Sequence, residues 1–322
     1  MSARLTPIGE FGGNPGGLAG FVRIPPGLKP GAPLVVVLHG CTQSAADYDR
    51  GSGWSRLADG AGFALLFPEQ QRANNANLCF NWFQANDTAS GRGEAQSIIA
   101  MIDTLLARHT LDPVRVFITG LSAGGAMAMA LLATHPGRFA GGGIIAGLPH
   151  GVASGIPDAF ERMRGQGLPP PPRLAALVPA HNGRWPRLSV WHGDADTTVA
   201  PLNAEAIIAQ WLGAQHLPLA PTSTTTLNGA RLRRWGDHVE AITIPGLGHG
   251  TPIATTGAEA LGRPAPFMLD CGLSSTRRIA AFWGIAPAVA DGVAMARPTA
   301  ASPLTGVAAT IDAALRRAGL LG

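Results

Sequence analysis

Gly120-Leu-Ser-Ala-Gly124 sets a serine between two glycines, where the β-branched run Val114-Arg-Val-Phe-Ile-Thr119 gives way to an Ala- and Met-rich segment. A G-x-S-x-G spacing between a strand and a helix is what a nucleophilic serine on a sharp turn requires. The small flanking residues let strand and helix approach each other. The hydroxyl then stands at a helix N-terminus, where the dipole favours developing negative charge. Ser122 is therefore the candidate nucleophile. The alternative is a Gly/Ser turn without chemistry.

A serine hydroxyl attacks a carbonyl only when a base takes its proton, and the base needs an acid to orient it. Seven histidines follow Ser122, and only His249 lies in a glycine-rich loop, Pro245-Gly-Leu-Gly-His-Gly250, directly after an apolar run. Flanking glycines give its imidazole reach, so His249 is the candidate base. The acid should leave an earlier strand, and Leu188-Ser-Val-Trp-His-Gly-Asp-Ala-Asp-Thr-Thr-Val199 offers two carboxylates. The H-G-x-x-D spacing favours Asp196. A shorter turn would use Asp194 and leave Asp196 capping the next helix. His192 and His39 read as structural core histidines.

The negative oxygen of a tetrahedral intermediate needs backbone N–H donors. Ala123, next after the serine, supplies one. Leu34-Val-Val-Val-Leu-His-Gly-Cys-Thr-Gln43 is an apolar strand ending in His-Gly, which makes the Cys41 N–H the second. Trp82, Leu121 and Tyr48 are candidates to line an apolar substrate pocket, with core packing as the alternative role of each. No metal or organic cofactor is expected.

To bring three loops together the chain needs a scaffold that ends its strands at one edge. Short apolar runs at 20–24, 34–39, 64–67, 114–119, 143–146, 188–192 and 239–244 alternate with longer segments of three-to-four apolar spacing. The latter lie at 54–60, 93–109, 123–134, 158–165, 203–212, 276–283 and 311–318. Such alternation predicts an α/β fold, a mostly parallel sheet with helices on both faces. Such a sheet places its site at the strand C-termini. The stretch 213–237 reads as a polar excursion, and Leu168-Pro-Pro-Pro-Pro-Arg173 as a surface loop within one domain. The C-terminal tail after residue 285 is expected to dock on the body.

Of 322 residues, 46% are hydrophobic and 14% charged, enough apolar material for a large core and too little charge for a disordered chain. The net charge of +4 rests on 24 basic residues that are all Arg except Lys29. The clusters Arg231/Arg233/Arg234 and Arg277/Arg278 lack interleaved aromatics, so nucleic acid is not an expected partner. No apolar run nears the roughly 18 residues of a membrane span. No secretory leader is legible at the N-terminus, which predicts a cytoplasmic protein, or a secreted one if a leader has been removed. Three widely spaced cysteines suit neither a disulfide-dense scaffold nor a zinc site. A Cys41–Cys79 bridge is one alternative, but unpaired buried thiols are the expectation.

Six blocks taken together carry a resemblance: Leu38-His-Gly-Cys-Thr-Gln43, Phe67-Pro-Glu-Gln70, Cys79-Phe-Asn-Trp-Phe83, Gly120-Leu-Ser-Ala-Gly-Gly-Ala-Met127, Trp191-His-Gly-Asp-Ala-Asp-Thr-Thr-Val199 and Gly248-His-Gly-Thr-Pro252. In this order they resemble the poly(3-hydroxybutyrate) depolymerase family of esterases, over roughly residues 15–285. The resemblance implies an α/β-hydrolase fold in a single domain and a serine esterase mechanism. It also implies substrates among poly- or oligo(3-hydroxyalkanoates), or alternatively feruloyl esters or acetylated xylan. It assigns the nucleophile to Ser122, the acid to Asp196, the base to His249 and the oxyanion donors to Cys41 and Ala123. No added polymer-binding module is expected after the catalytic segment, which gives soluble oligomers and small esters weight beside solid polymer.

Overall fold

Alternation along Leu34–Leu38 divides the hydrophobic interior in two. Leu34, Val36 and Leu38 belong to one cluster of buried side chains, and Val35 and Val37 to another. That is the pattern of a strand buried on both faces, and all five residues are fully enclosed. The computed structural model describes residues 5–289. The expected helix at 311–318 and the docking of most of the tail lie outside the described residues.

Ten strands form one sheet: β1 (Thr6–Pro7), β2 (Ala19–Arg23), β3 (Leu34–Leu38), β4 (Ala64–Glu69), β5 (Val116–Leu121), β6 (Gly141–Ile145), β7 (Arg187–Gly193), β8 (Ser223–Leu227), β9 (Ala230–Trp235) and β10 (Val239–Ile244). Their order across the sheet is β1-β2-β4-β3-β5-β6-β7-β10-β9-β8. The six strands from β4 to β10 run parallel, while β1 and β2 at one edge and β9 and β8 at the other are antiparallel. Helices α1 (Ala45–Ser52), α2 (Trp54–Ala61), α3 (Ala85–Thr88), α4 (Gly93–His109), α5 (Ala123–Thr134), α6 (Ile156–Met163), α7 (Pro171–Ala176), α8 (Leu202–Ala214) and α9 (Ser275–Phe282) connect and cover it. Buried residues of α4, α5 and α8 join the Leu34 cluster, and those of α1, α2 and α9 join the Val35 cluster. A short parallel pair, β11 (Thr251–Ile253) and β12 (Met268–Asp270), follows β10. This is the α/β-hydrolase fold, with a mostly parallel sheet between two layers of helices.

The order reverses beside β3. From β3 the chain moves outward to β4, then returns to place β5 on the other side of β3. At such a reversal the loops leaving two neighbouring strands diverge, and a crevice opens at their C-terminal ends. Those loops carry Cys41 and Ser122.

Two segments differ from expectation. Residues 213–237 contain the β8–β9 hairpin rather than an irregular excursion. Its turn is Asn228-Gly229, both with positive φ (47° and 82°), as a two-residue hairpin requires. The four exposed residues of the edge strand β8 are Ser and Thr, with only Leu227 buried, so it carries no apolar alternation to read. The proline run is also not all loop. Pro171 begins α7, at a helix position where the missing N–H costs nothing.

Candidate active site

Ser122 adopts φ 56° and ψ −119°, a backbone conformation costly for a residue with a Cβ. The surroundings hold it there. Its N–H donates to the Ile145 carbonyl at 2.9 Å, tying the turn to the end of β6, and its carbonyl accepts from Ala126 at 2.8 Å to open α5. The glycines are sterically required. A Cβ on Gly120 would run into the backbone of Gly124, and one on Gly124 into the carbonyl oxygens of Leu38 and His39. The lack of a Cβ at Gly124 thus lets α5 meet, backbone to backbone, the chain that leaves β3 and continues into Cys41. As the first residue of α5, Ala123 has an N–H with no intrahelical acceptor.

The two peptides that flank Gly40 are each held by a hydrogen bond. His39 Nδ1–H donates to the Gly40 carbonyl at 2.7 Å, while Gly40 N–H donates to Gln43 Oε1 at 2.9 Å. Because a trans peptide is planar, fixing the Gly40 carbonyl also fixes the direction of the Cys41 N–H. His39 Nε2 accepts the Gln70 N–H at 3.2 Å, so both ring nitrogens are used by a neutral imidazole. Burial lowers its pKa to about 4, against a small opposing effect of the Gly40 bond. Beyond Gln70 the network continues into the buried Glu94, whose carboxylate accepts from Gln70 Nε2 and from the Asn81 N–H. Burial pushes Glu94 up to about 8 despite those donors.

Cys41 is bonded to Cys79, which corrects the expectation of free thiols there; Cys271 alone is free and buried. The two residues are 38 apart in sequence, but Thr42 N–H donates to the Asn77 carbonyl at 2.7 Å and sets the two loops side by side.

His249 Nδ1 lies 2.7 Å from Asp196 Oδ2. Asp196 Oδ1 accepts the N–H groups of Thr198 and Val199, both at 2.9 Å. His192 Nε2–H is shared between the Val199 carbonyl at 2.8 Å and Asp196 Oδ2 at 3.3 Å. Burial alone would raise the Asp196 pKa. The bonds from His192 and His249, the His249 charge and the Val199 N–H outweigh it and hold the carboxyl well below the usual range. Asp194 is exposed and has another partner, accepting the Gly246 N–H at 2.6 Å and so clamping the loop that carries His249. Gly193 is packed so closely on the Leu247 carbonyl that no Cβ fits.

The three residues expected to line a pocket are placed differently. Tyr48 is fully buried, with its hydroxyl 3.1 Å from Thr251 Oγ1, and packs with the core on the α1–α2 face, so a substrate wall is the wrong role for it. Leu121 is 1% exposed and touches the space beside Gly40, whereas Trp82 keeps 8% exposure and meets Phe83 edge-on. Sequence reasoning missed Gln43, Gln70, Glu94 and the support His192 gives Asp196. The signal for Gln43 and Gln70 was their place inside two of the six motif blocks. None of the described helices is long and apolar enough to cross a membrane.

Residues 19–227 match the family model described as Esterase PHB depolymerase. The chain is 40% identical over 291 residues to poly(3-hydroxyalkanoate) depolymerase C of Paucimonas lemoignei, covering 87% of this chain and 70% of that protein. It is 30% identical to acetylxylan esterase A of Aspergillus oryzae over 263 residues, 77% of this chain and 85% of that one. The solved acetyl xylan esterase from Aspergillus awamori superposes with a TM-score of 0.72 at 25% identity, over 76% of this chain and 94% of that one. An α/β-hydrolase sheet with a strained serine at its reversal, matched over most of its length by depolymerases and esterases, places this chain in the PHB depolymerase family of esterases, as a carboxylic ester hydrolase.

Proposed function

We propose that this enzyme hydrolyses 3-hydroxyalkanoate esters through a Ser122–His249–Asp196 triad and an acyl-enzyme. The observation that carries it is the 2.7 Å contact between His249 Nδ1 and Asp196 Oδ2, in loops leaving β10 and β7 toward the end of the sheet where Ser122 sits. With Nδ1–H directed at an ionised Asp196, His249 presents an unprotonated Nε2 to the serine. Ser122 Oγ attacks the ester carbonyl carbon as its proton passes to Nε2. The Cys41 and Ala123 N–H groups receive the resulting oxyanion. Collapse expels the alcohol oxygen, which takes the proton from His249. A water then repeats the sequence on the acyl-enzyme and releases the acid with Ser122 restored.

The substrate class rests on the 40% identity to the Paucimonas lemoignei depolymerase, against 30% to an acetylxylan esterase. A panel of 3-hydroxybutyrate oligomers, acetylated xylo-oligosaccharides and methyl ferulate tests it. The expected result is the highest kcat/KM on the hydroxybutyrate oligomers; faster turnover of acetylated sugars or ferulate with no oligomer cleavage overturns it. The Cys41–Cys79 bridge supports maturation in an oxidising compartment rather than the cytoplasm, because disulfides persist where thiols are not kept reduced. Mass spectrometry of alkylated protein from its native source checks this, with a bridged Cys41–Cys79 peptide expected and two alkylated cysteines as the contrary result.

A further inference from the structure

Phe267 is one of eight non-glycine residues with positive φ among the described residues, at 63°, a conformation uncommon for a bulky side chain. Ser122 and Thr42, which follows Cys41, are two others. Strained backbone of this kind persists where surrounding structure over-determines it and clusters at functional sites. The bonds that hold position 267 are on both flanks. Its carbonyl accepts the Thr251 N–H at 2.7 Å, two residues after His249, and the Met268 N–H donates to Ala265 at 2.9 Å to close the turn. Gly250 has no room for a Cβ because the Phe267 carbonyl is there. On the other side Gln43, whose Oε1 takes the Gly40 N–H, donates from Nε2 to the Pro266 carbonyl at 3.3 Å. One turn is thus fastened both to the loop of the base and to the loop of the oxyanion donor.

These fastenings aim a ring rather than bury it. Phe267 stands edge-on to the His249 imidazole, with centroids 6.1 Å apart and planes at 77°, and remains partly exposed although its neighbour Met268 is buried. A strained turn that only filled the core would enclose its largest side chain.

We infer that Phe267 is a specificity-determining residue whose ring forms the wall against which the alcohol portion of the ester packs. This rests on the triad reading above. The same imidazole that takes the serine proton must deliver it to the leaving oxygen, so the alcohol portion lies within hydrogen-bond reach of His249 Nε2. An apolar ring beside that imidazole meets the alcohol side before the acyl side. For a hydroxyalkanoate chain that side carries methyl and methylene groups, which an aromatic wall desolvates.

The test uses two ester series: acetates of methanol to butanol, and methyl esters of acetic to butyric acid. Phe267→Gly removes the ring, and glycine adopts φ 63° without strain. In that variant the ratio of kcat/KM for butyl over methyl acetate should fall about tenfold, the scale of a lost apolar contact, while the butyrate-to-acetate ratio stays as in the unmodified enzyme. A uniform fall across both series would show that the ring merely supports His249, and a fall that follows acyl length would put it on the wrong side; either overturns the inference. Phe267→Asn, which also tolerates the left-handed backbone, repeats the measurement if the glycine variant does not fold. Ser122→Ala is assayed in parallel. If it stays active, the triad reading itself fails; if it is inactive while Phe267→Gly loses uniformly, only the inference about Phe267 fails.

Discussion

One methyl group at position 124 would push apart the backbone segments that carry the Ala123 and Cys41 amides, proposed above as oxyanion donors, since a Cβ there falls on the carbonyls of Leu38 and His39. Gly124→Ala should lower kcat about 100-fold, the scale of one lost oxyanion donor, with a smaller change in KM, measured by steady-state kinetics on a soluble ester. Asp196→Asn should cost about 10⁴ in kcat, because the asparagine no longer selects the productive His249 tautomer. Asp194→Asn should leave the chemistry largely in place and lower stability by about 1 kcal/mol through its weakened bond to Gly246. Comparable losses in the two Asp variants would contradict the assignment. The strained turn at Ser122 was legible from its flanking glycines, and the roles proposed for Ser122 and His249 rest on residue type and loop composition. Spacing favoured Asp196 over Asp194 but left both open, because the choice depends on which carboxylate turns inward, and that follows from His192, Thr198 and Val199 closing around Asp196.

The loop between β3 and α1 is an element with little structure of its own, and it is held by the Cys41–Cys79 bond, the Thr42–Asn77 bond and the His39–Gln70–Glu94 network. Closing a loop of this length stabilises the fold by about 4 kcal/mol in the chain-entropy picture. Cys41→Ser with Cys79→Ser should therefore lower the denaturation midpoint and reduce kcat more than it raises KM, because the Cys41 N–H is the second oxyanion donor proposed above. A variant with unchanged kcat would detach the bridge from catalysis. The sequence offered this pairing only as the alternative to free thiols, because three spaced cysteines carry no connectivity. The parallel strands were legible because burial on both faces writes continuous apolar runs. The β8–β9 hairpin was hidden by the polarity of an exposed edge, although Asn228-Gly229 marked its turn.

Across the whole molecule, buried titratable groups set opposing slopes of stability with pH. His39 and His150, each lowered to about 4 by burial, bind protons in the unfolded chain below about 6.5 but stay neutral in the fold. Stability is therefore fully present above 6.5 and is lost as the pH falls toward 4. Glu94, raised to about 8, keeps its proton in the fold while the unfolded chain has lost it, so its contribution declines as the pH rises from 4.5 through 8. Of these three groups, two histidines oppose one glutamate below 6.5 and Glu94 acts alone above it, so their combined contribution to the denaturation midpoint is largest near pH 6.5. A midpoint still rising at pH 8 would contradict these burial assignments. The overall α/β architecture followed from the alternation of apolar runs and helical segments. The reversal beside β3 did not, because strand order depends on which neighbours pair.

The central claim is that Ser122 is the nucleophile, and covalent capture tests it most directly. Treatment with diethyl p-nitrophenyl phosphate, followed by intact and peptide mass spectrometry, should show one diethylphosphoryl group on Ser122 as esterase activity disappears, and none on inactive Ser122→Ala. Adduct on another residue, or an unlabelled enzyme that stays active, would contradict it.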